Sequence, residues 1–451
     1  MPVREALLPK KFHQAVEDWR DTFLPDYGFL LESWEKHFPK EPMFKLCAYR
    51  ETGVCNEIEC GAKKGEKKAT MPSELDEDQA KYLLGAIRAQ ASTEFGSIQQ
   101  HRLTLARAQE EEEQVWVLRM MAEELRHGYQ MLHLLVEDDW SCQTSQKSAD
   151  MVEEILSMQT GSHVLGAFNI DFDSFVDNVV FCALIDRVGK YQLAMQKISA
   201  YKPMAESMPQ MLREEAFHLA TGVVPMRRWV TKAAEGEVYV TMDMLQKAIN
   251  KWLPRGLEMF GDERGGGSNV RMGLKPMKNA EAQQDYYQEV SKVVADLNMR
   301  YLRAKLPKLS IGEARELLAK MVKEGGVHQG VDSDDLLRMP DHGFFRRRGV
   351  PAFTLTGVDG ESFKDYASYM KHLQRHLPES YLANRDFMDY SATLKKVCDE
   401  EMTSDEGARQ MPALRRVAGT CPCSKSVRWV RDEPMAASDA DTNADATVHG
   451  G

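Results

Sequence analysis

Glu124-Leu125-Arg126-His127 and Glu215-Ala216-Phe217-His218 are the two stretches on which the reading of this chain turns. Each is Glu-x-x-His. Residues three apart on a helix share a face, so each stretch aims a carboxylate and an imidazole the same way. With twelve histidines in the chain and about a tenth of its residues Glu, about one such pair arises by chance. The surroundings separate these two from chance. Trp116, Met120, Glu124, His127, Met131 and Leu134 fall on one helical face. A carboxylate and an imidazole inside a stripe of Met and Leu are costly unless paired or metal-bound. Each pair also follows an acid on another apolar helix. Glu94 lies 30 residues before Glu124, between Ala91 and Ile98, and Asp186 lies 29 before Glu215, after the apolar run 179–185. A helix apolar on all sides is buried, so Asp186 above all needs a partner.

Two Glu-x-x-His helices with one carboxylate from each of two others make the di-iron or di-manganese site of a ferritin-like bundle. The sequence therefore predicts an all-α fold: a ferritin-like four-helix bundle with a dinuclear metal site, plus additional helical N- and C-terminal segments. Glu94, Glu124, His127, Asp186, Glu215 and His218 are the expected ligands.

The chain has 451 residues, enough for a large core and more than one lobe. Its net charge of -11 argues against broad nucleic-acid binding, which needs a basic surface. No stretch reads as a signal peptide or spans a bilayer, so a cytoplasmic protein with no membrane partner is expected. The eight cysteines are unevenly spaced, which argues against a disulfide framework. Cys47, Cys55 and Cys60 lack a Cys-x-x-Cys pattern and an evident fourth ligand, so loop or core cysteines are favoured over structural zinc. The 26 methionines suit irregular apolar pockets.

Along the chain, residues 1–72 read as an N-terminal capping segment of short helices and a cysteine-bearing loop. Residues 73–235 read as the metal-binding bundle. Its helices are expected from Ser73 or Asp76 to about Gln109, Glu111 to Val136, Phe172 to Ser199, and Met208 to Ala233, the last kinked or ended by Pro225. Residues 236–430 read as a mostly helical region with a short strand over 353–356. Residues 431–451, rich in Ala, Asp, Ser and Thr, read as a disordered tail.

Further runs carry a resemblance. Thr93-Glu94 through Gln99-Gln100-His101, Glu123-Glu124-Leu125-Arg126-His127, Asp186-Arg187-Val188-Gly189-Lys190-Tyr191-Gln192-Leu193 and Glu214-Glu215-Ala216-Phe217-His218-Leu219 resemble the oxygenase components of the benzoyl-CoA 2,3-epoxidase family. The catalytic subunit of phenylacetyl-CoA epoxidase is similar at a greater distance. The resemblance is strongest over residues 90–230 and continues more weakly to about residue 380. It is poor in the N-terminal part, in residues 236–330 and in the tail. It implies the same six ligands, two iron ions (Fe2+/Fe3+) as cofactor, and an acyl-CoA substrate. It also implies a monooxygenase that puts one atom of O2 into an aromatic ring as a 2,3-epoxide. No flavin or nucleotide fingerprint occurs, and the family's electrons come from a separate NADPH-dependent flavin and iron–sulfur reductase. A reductase partner is therefore implied.

Alternatives stand beside that reading: a di-iron oxygenase for another acyl-CoA, a carrier-bound or an amine substrate, or a non-catalytic ferritin-like metal-binding protein. Gly189 and Gly222 either open room for a flat ring beside the metals or let helices pack closely. Gln99 and Gln100 line the cavity or sit on a helix surface. Arg346, Arg347 and Arg348, after two aromatic residues, are the best local cluster for CoA phosphates, and Arg227-Arg228 is a second. Gln99, Gly189, Arg346 and Arg347 are the expected substrate contacts. Arg126 and Arg187 read as structural ion-pair partners.

Overall fold

The computed structural model describes residues 3–237, 239–261, 267–341, 353–383 and 385–410. The fold is all-α, with four long helices in a ferritin-like bundle. These are α4 (Glu77–His101), α5 (Glu111–Val136), α7 (Phe175–Gln196) and α8 (Lys202–Glu235). Helix α4 packs along α5, α7 along α8, and α5 meets α8 across the middle. No helix among the described residues is long and apolar enough to cross a membrane.

Local chemistry sets the helix starts. Asp76 accepts the Gln79 N–H while the Gln79 side chain reaches back to the Asp76 backbone, a reciprocal capping box that opens α4. Ser174 and Asp177 open α7 the same way. Helix α4 ends at His101, short of the expected Gln109, because residues 102–107 turn tightly and Leu103 points to solvent while Leu105 is buried. Helix α8 begins earlier than expected. Pro203 sits in its first turn, where a missing N–H has no intrahelical partner to lose. The helix also runs on through Pro209 and Pro225 without ending. Burial of Pro225, Met226 and Trp229 against the neighbouring helices carries it across the lost hydrogen bond.

The N-terminal segment lies across α5 and α8. It contains β1 (Val3–Ala6), α1 (Lys10–Phe23), α2 (Tyr27–Glu32), α3 (Trp34–His37) and β2 (Ala48–Glu51). Strands β1 and β2 pair antiparallel, a feature the aromatic spacing did not reveal. Tyr129 on α5 accepts the Leu8 N–H (2.7 Å), and Gln130 accepts the Tyr49 N–H (2.6 Å), tying the segment down. Between α5 and α7 lies α6 (Ser148–Ser157). On the far side, α9 (Met242–Met259) covers α7, and α11 (Asn279–Lys305) covers α8 and α7 after the short α10 (Ser268–Arg271); α12 (Ile311–Glu324) packs on α11. One hydrophobic core runs from Leu8 to Leu337, and a smaller one joins Val358, Tyr369, Leu373, Leu377, Phe387, Tyr390 and Leu394 around α13 (Tyr366–His376). Residues 353–356 form no strand; Thr356 makes an isolated bridge to Ser362. The expected tail, residues 431–451, lies outside the described residues, as do Arg346, Arg347 and Arg348.

Candidate metal centre

Glu94 comes from α4, Glu124 and His127 from α5, Asp186 from α7, and Glu215 and His218 from α8. All six are 0–8% exposed. One ligand atom from each of Glu124, His127, Glu215 and His218 lies within 4.8 Å of the others. Glu94 Oε2 is 3.9 Å from His127 Nδ1, and His218 Nδ1 is 3.3 Å from Glu124 Oε1 and 3.7 Å from Glu215 Oε2. Asp186 interacts with the charges of His218 and Glu94. The helical spacing thus brings all six expected side chains into one buried cluster.

The cluster is electrically unfinished without cations. Burial, reinforced by the Glu124 charge, holds the Glu94 carboxyl well above its ordinary range. Burial, with Asp186, Glu124 and Glu94 alongside, does the same to Glu215. Burial pushes Asp186 up to about 7. His218 is buried, which opposes its charge, yet the hydrogen bond to Glu123 and the nearby Glu124 and Glu215 carboxylates raise it well above the usual imidazole value. Protons therefore stand where metal charge would. Four carboxylates carry four negative charges when ionised, which two divalent cations would balance, with proton release on binding. Atom by atom, Glu124 Oε2, His127 Nδ1, Asp186 Oδ2, Glu215 Oε2 and His218 Nδ1 are buried without a hydrogen-bond partner. Native interiors rarely leave five such atoms together. A carboxylate and imidazole donor set of this kind suits iron or manganese.

The outward sides of the two histidines are, by contrast, fully engaged. His127 Nε2 donates to Glu214 Oε2 (2.9 Å), and His218 Nε2 donates to Glu123 Oε2 (3.2 Å). Each acid immediately precedes the ligand Glu of the opposite Glu-x-x-His. The arrangement is crosswise: α8 braces the α5 histidine and α5 braces the α8 histidine. A carboxylate only accepts here, so in the neutral imidazole that a metal would require the proton belongs on Nε2 and Nδ1 faces the cluster. Although burial raises a carboxyl, the Arg126 charge and the His127 hydrogen bond bring Glu214 down to about 2. Sequence reasoning missed Glu123 and Glu214 as functional groups; the doubled Glu in both motifs was the available signal.

Gly189 faces the cluster, but for a reason other than either expected one. A Cβ there would lie 2.8 Å from Glu215 Oε1, so the space is taken by the Glu215 carboxylate. At Gly222 a Cβ would meet the Ala183 backbone nitrogen at 2.3 Å, so that glycine lets α7 and α8 pack closely. Gln99 is buried, donating to the Met158 carbonyl (3.0 Å) and accepting from His163 Nε2 (2.9 Å). It fastens the loop after α6 to α4. Arg126 pairs with Glu214 at 2.6 Å, and Arg187 with Glu289 on α11. The second cation pair is also engaged: Arg227 holds Asp296 (2.8 Å) and Arg228 holds Glu113.

Asp359, Glu361 and His372 form another group of possible ligands beside a cleft of about 280 Å³. There His372 Nε2 already accepts the Val358 N–H (3.1 Å), and Asp359 accepts from Arg338 (3.3 Å). That group lacks the bare inward atoms of the buried cluster. Among the described residues, Cys47, Cys55 and Cys60 do not join a ligand group; Cys60 Sγ donates to the Lys275 carbonyl (3.3 Å).

The model of the family described as phenylacetic acid catabolic protein matches residues 63–310, more than half of the chain and all six clustered side chains. The chain belongs to this family. The chain is also similar to the curated protein "Benzoyl-CoA oxygenase component B" of Aromatoleum evansii, 27% identical over 252 residues. That match covers 50% of this chain and 51% of the relative, so the chain spans about half the length of the curated relative it matches. Residues before 63, including the whole β1–β2 segment, and residues after 310 lie outside the family match.

Proposed function

We propose that this chain is the oxygenase component of a two-part monooxygenase. It would bind two iron ions through Glu94, Glu124, His127, Asp186, Glu215 and His218, and epoxidise an aromatic ring presented as its CoA thioester. The observation that carries this reading is the set of five bare, buried carboxylate and imidazole atoms gathered from α5, α7 and α8. Membership of a phenylacetic acid catabolic family supports aromatic acids as the substrate class. The relative's name supports the CoA thioester and a further component, here an NADPH-dependent flavin and iron–sulfur reductase. In the net reaction one oxygen atom enters a ring double bond, the other leaves as water, and two electrons and two protons complete the balance.

Two iron ions bound here would supply the electron transfer to O2 that side chains lack. The protein's own groups do the rest. Glu123 and Glu214 hold both imidazoles in one tautomer and orientation. Gly189, lacking a Cβ, leaves room for the Glu215 carboxylate. Met120, Met121, Phe181 and Met211, all buried, keep bulk water away. Gln99 holds the loop after α6 against α4. Arg346 and Arg347 stay assigned to the CoA phosphates on their charge and sequence alone.

The test is oxygen consumption by the iron-loaded, reduced protein with benzoyl-CoA and with free benzoate, with metal content measured on the same sample. Oxygen use coupled to product only with the thioester is the expected result. Two irons per chain without coupling to either compound would discard the aryl-CoA substrate and retain the metal centre.

A further inference from the structure

The acids that brace the two histidines are themselves held by arginines, and one stretch of N-terminal chain grips both arginines. Arg119 Nε donates to Glu123 Oε1 (3.0 Å), and its Nη2 lies 2.7 Å from Glu41 Oε2. Its guanidinium sits 3.9 Å from the centre of the Phe217 ring, 4.6 Å from Phe38 and 5.4 Å from Trp34. Arg126 Nη2 donates to Glu214 Oε1 (2.6 Å), and Nη1 donates to the Lys45 carbonyl (3.2 Å). The Arg126 guanidinium is 4.4 Å from the Phe44 ring and 5.3 Å from Tyr49. The unassigned positions of the two motifs are thus used. Arg126 belongs to the first Glu-x-x-His, and Phe217, in the second, forms one wall of the Arg119 cage.

A histidine ligand's orientation and basicity follow from the partner of its other nitrogen. A buried carboxylate partner is itself costly unless a cation stays beside it. Arginine on a long stem does so only when its fork is immobilised, and stacked aromatic faces immobilise a planar cation well. We propose that residues 34–49 are a brace that fixes both histidine ligands through the positioning residues Arg119 and Arg126. The brace runs from Trp34, Phe38 and Glu41 through Arg119 and Glu123 to His218, and from Phe44, Lys45 and Tyr49 through Arg126 and Glu214 to His127. It lies before residue 63, outside the family match. The inference rests on the metal-centre reading above.

The test titrates ferrous iron anaerobically into the full-length chain and records the ligand-field circular dichroism of the bound iron and the unfolding midpoint of each variant. Arg119→Gln and the double variant Trp34→Leu/Phe38→Leu are expected to weaken iron binding by about 10- to 100-fold and to shift the ligand-field spectrum. Arg119→Lys keeps the charge without the planar fork and should fall between. Glu41→Gln, on an exposed partner, should give a smaller loss in the same direction and guards against failure of the others to fold. Arg88→Gln breaks an ion pair with Glu154 on the outside of the bundle and should leave binding at the wild-type value. If the Trp34→Leu/Phe38→Leu variant unfolds more easily but keeps wild-type affinity and spectrum, residues 34–49 are a stabilising cap and the proposal is overturned. A wild-type chain that binds no ferrous iron would instead overturn the metal-centre reading itself.

Discussion

At Gly189 and Gly222 the same missing methyl group serves two different purposes, and a single substitution at each separates them. Gly189→Ala places a carbon 2.8 Å from Glu215 Oε1, at the end of a side chain that can turn aside. It should lower iron content while barely moving the unfolding midpoint. Gly222→Ala drives a carbon into the Ala183 backbone, which cannot turn aside. Overpacking of that kind costs about 1–3 kcal/mol, to be read from urea unfolding of the metal-free protein. The ligand residues themselves should behave in the opposite sense to ordinary buried groups. Glu215→Ala and Asp186→Ala should abolish iron binding and preserve far-ultraviolet circular dichroism. In the metal-free state they should not destabilise, because each removes a carboxylate whose charge burial opposes. Two metals per chain retained in both variants would sink the ligand assignment.

Among the elements, α11 meets α7 through one concentrated polar contact. Arg187, Lys190 and Tyr191 on α7 all converge on Glu289, with Lys190 Nζ at 2.9 Å and the Tyr191 hydroxyl donating at 2.8 Å. Burial alone would raise that carboxyl, but hydrogen bonds from Lys190 and Tyr191 and the Arg187 charge hold it below its ordinary value. The run Asp186-Arg187-Val188-Gly189-Lys190-Tyr191 therefore divides its labour around the helix. Asp186 and Gly189 face the cluster, while Arg187, Lys190 and Tyr191 face α11. Glu289→Ala strands the buried Arg187 charge, so it should destabilise the protein by about 1–3 kcal/mol. Since Glu289 touches none of the six ligands, iron stoichiometry should hold. Loss of both metals in that variant would show that α11 contributes to the centre in a way the contacts do not indicate.

On the scale of the whole molecule, the fold carries a buried cluster of carboxylates and imidazoles that metal ions would complete. Ligand that binds only the folded state stabilises it by mass action, so ferrous iron at 100 times its dissociation constant should add about 2.7 kcal/mol per site. Chelation should reverse the gain. Equal unfolding midpoints with and without saturating iron would mean that the cluster does not bind the metal in the folded state.

The six clustered side chains were legible in the sequence because their signal is local. Three-residue spacing puts Glu124 with His127 and Glu215 with His218 on one helix face, and an acid within an apolar stripe has few ways to be tolerated. The bundle followed from the same stripes. The helix limits were less legible, since a proline such as Pro225 ends an isolated helix but is carried through when packing on both sides outweighs one lost hydrogen bond. The roles of Glu123, Glu214, Arg119 and Gly189 belonged wholly to the tertiary structure. Glu123, Glu214 and Gly189 each act on a residue of another helix, and Arg119 is gripped from the N-terminal segment; helical periodicity records which face a side chain occupies but not which neighbour meets that face. The sequence by itself determined that carboxylates and imidazoles would share a buried centre. Only the packing of α5 against α8, beneath residues 34–49, decided that each histidine would be held from across the bundle.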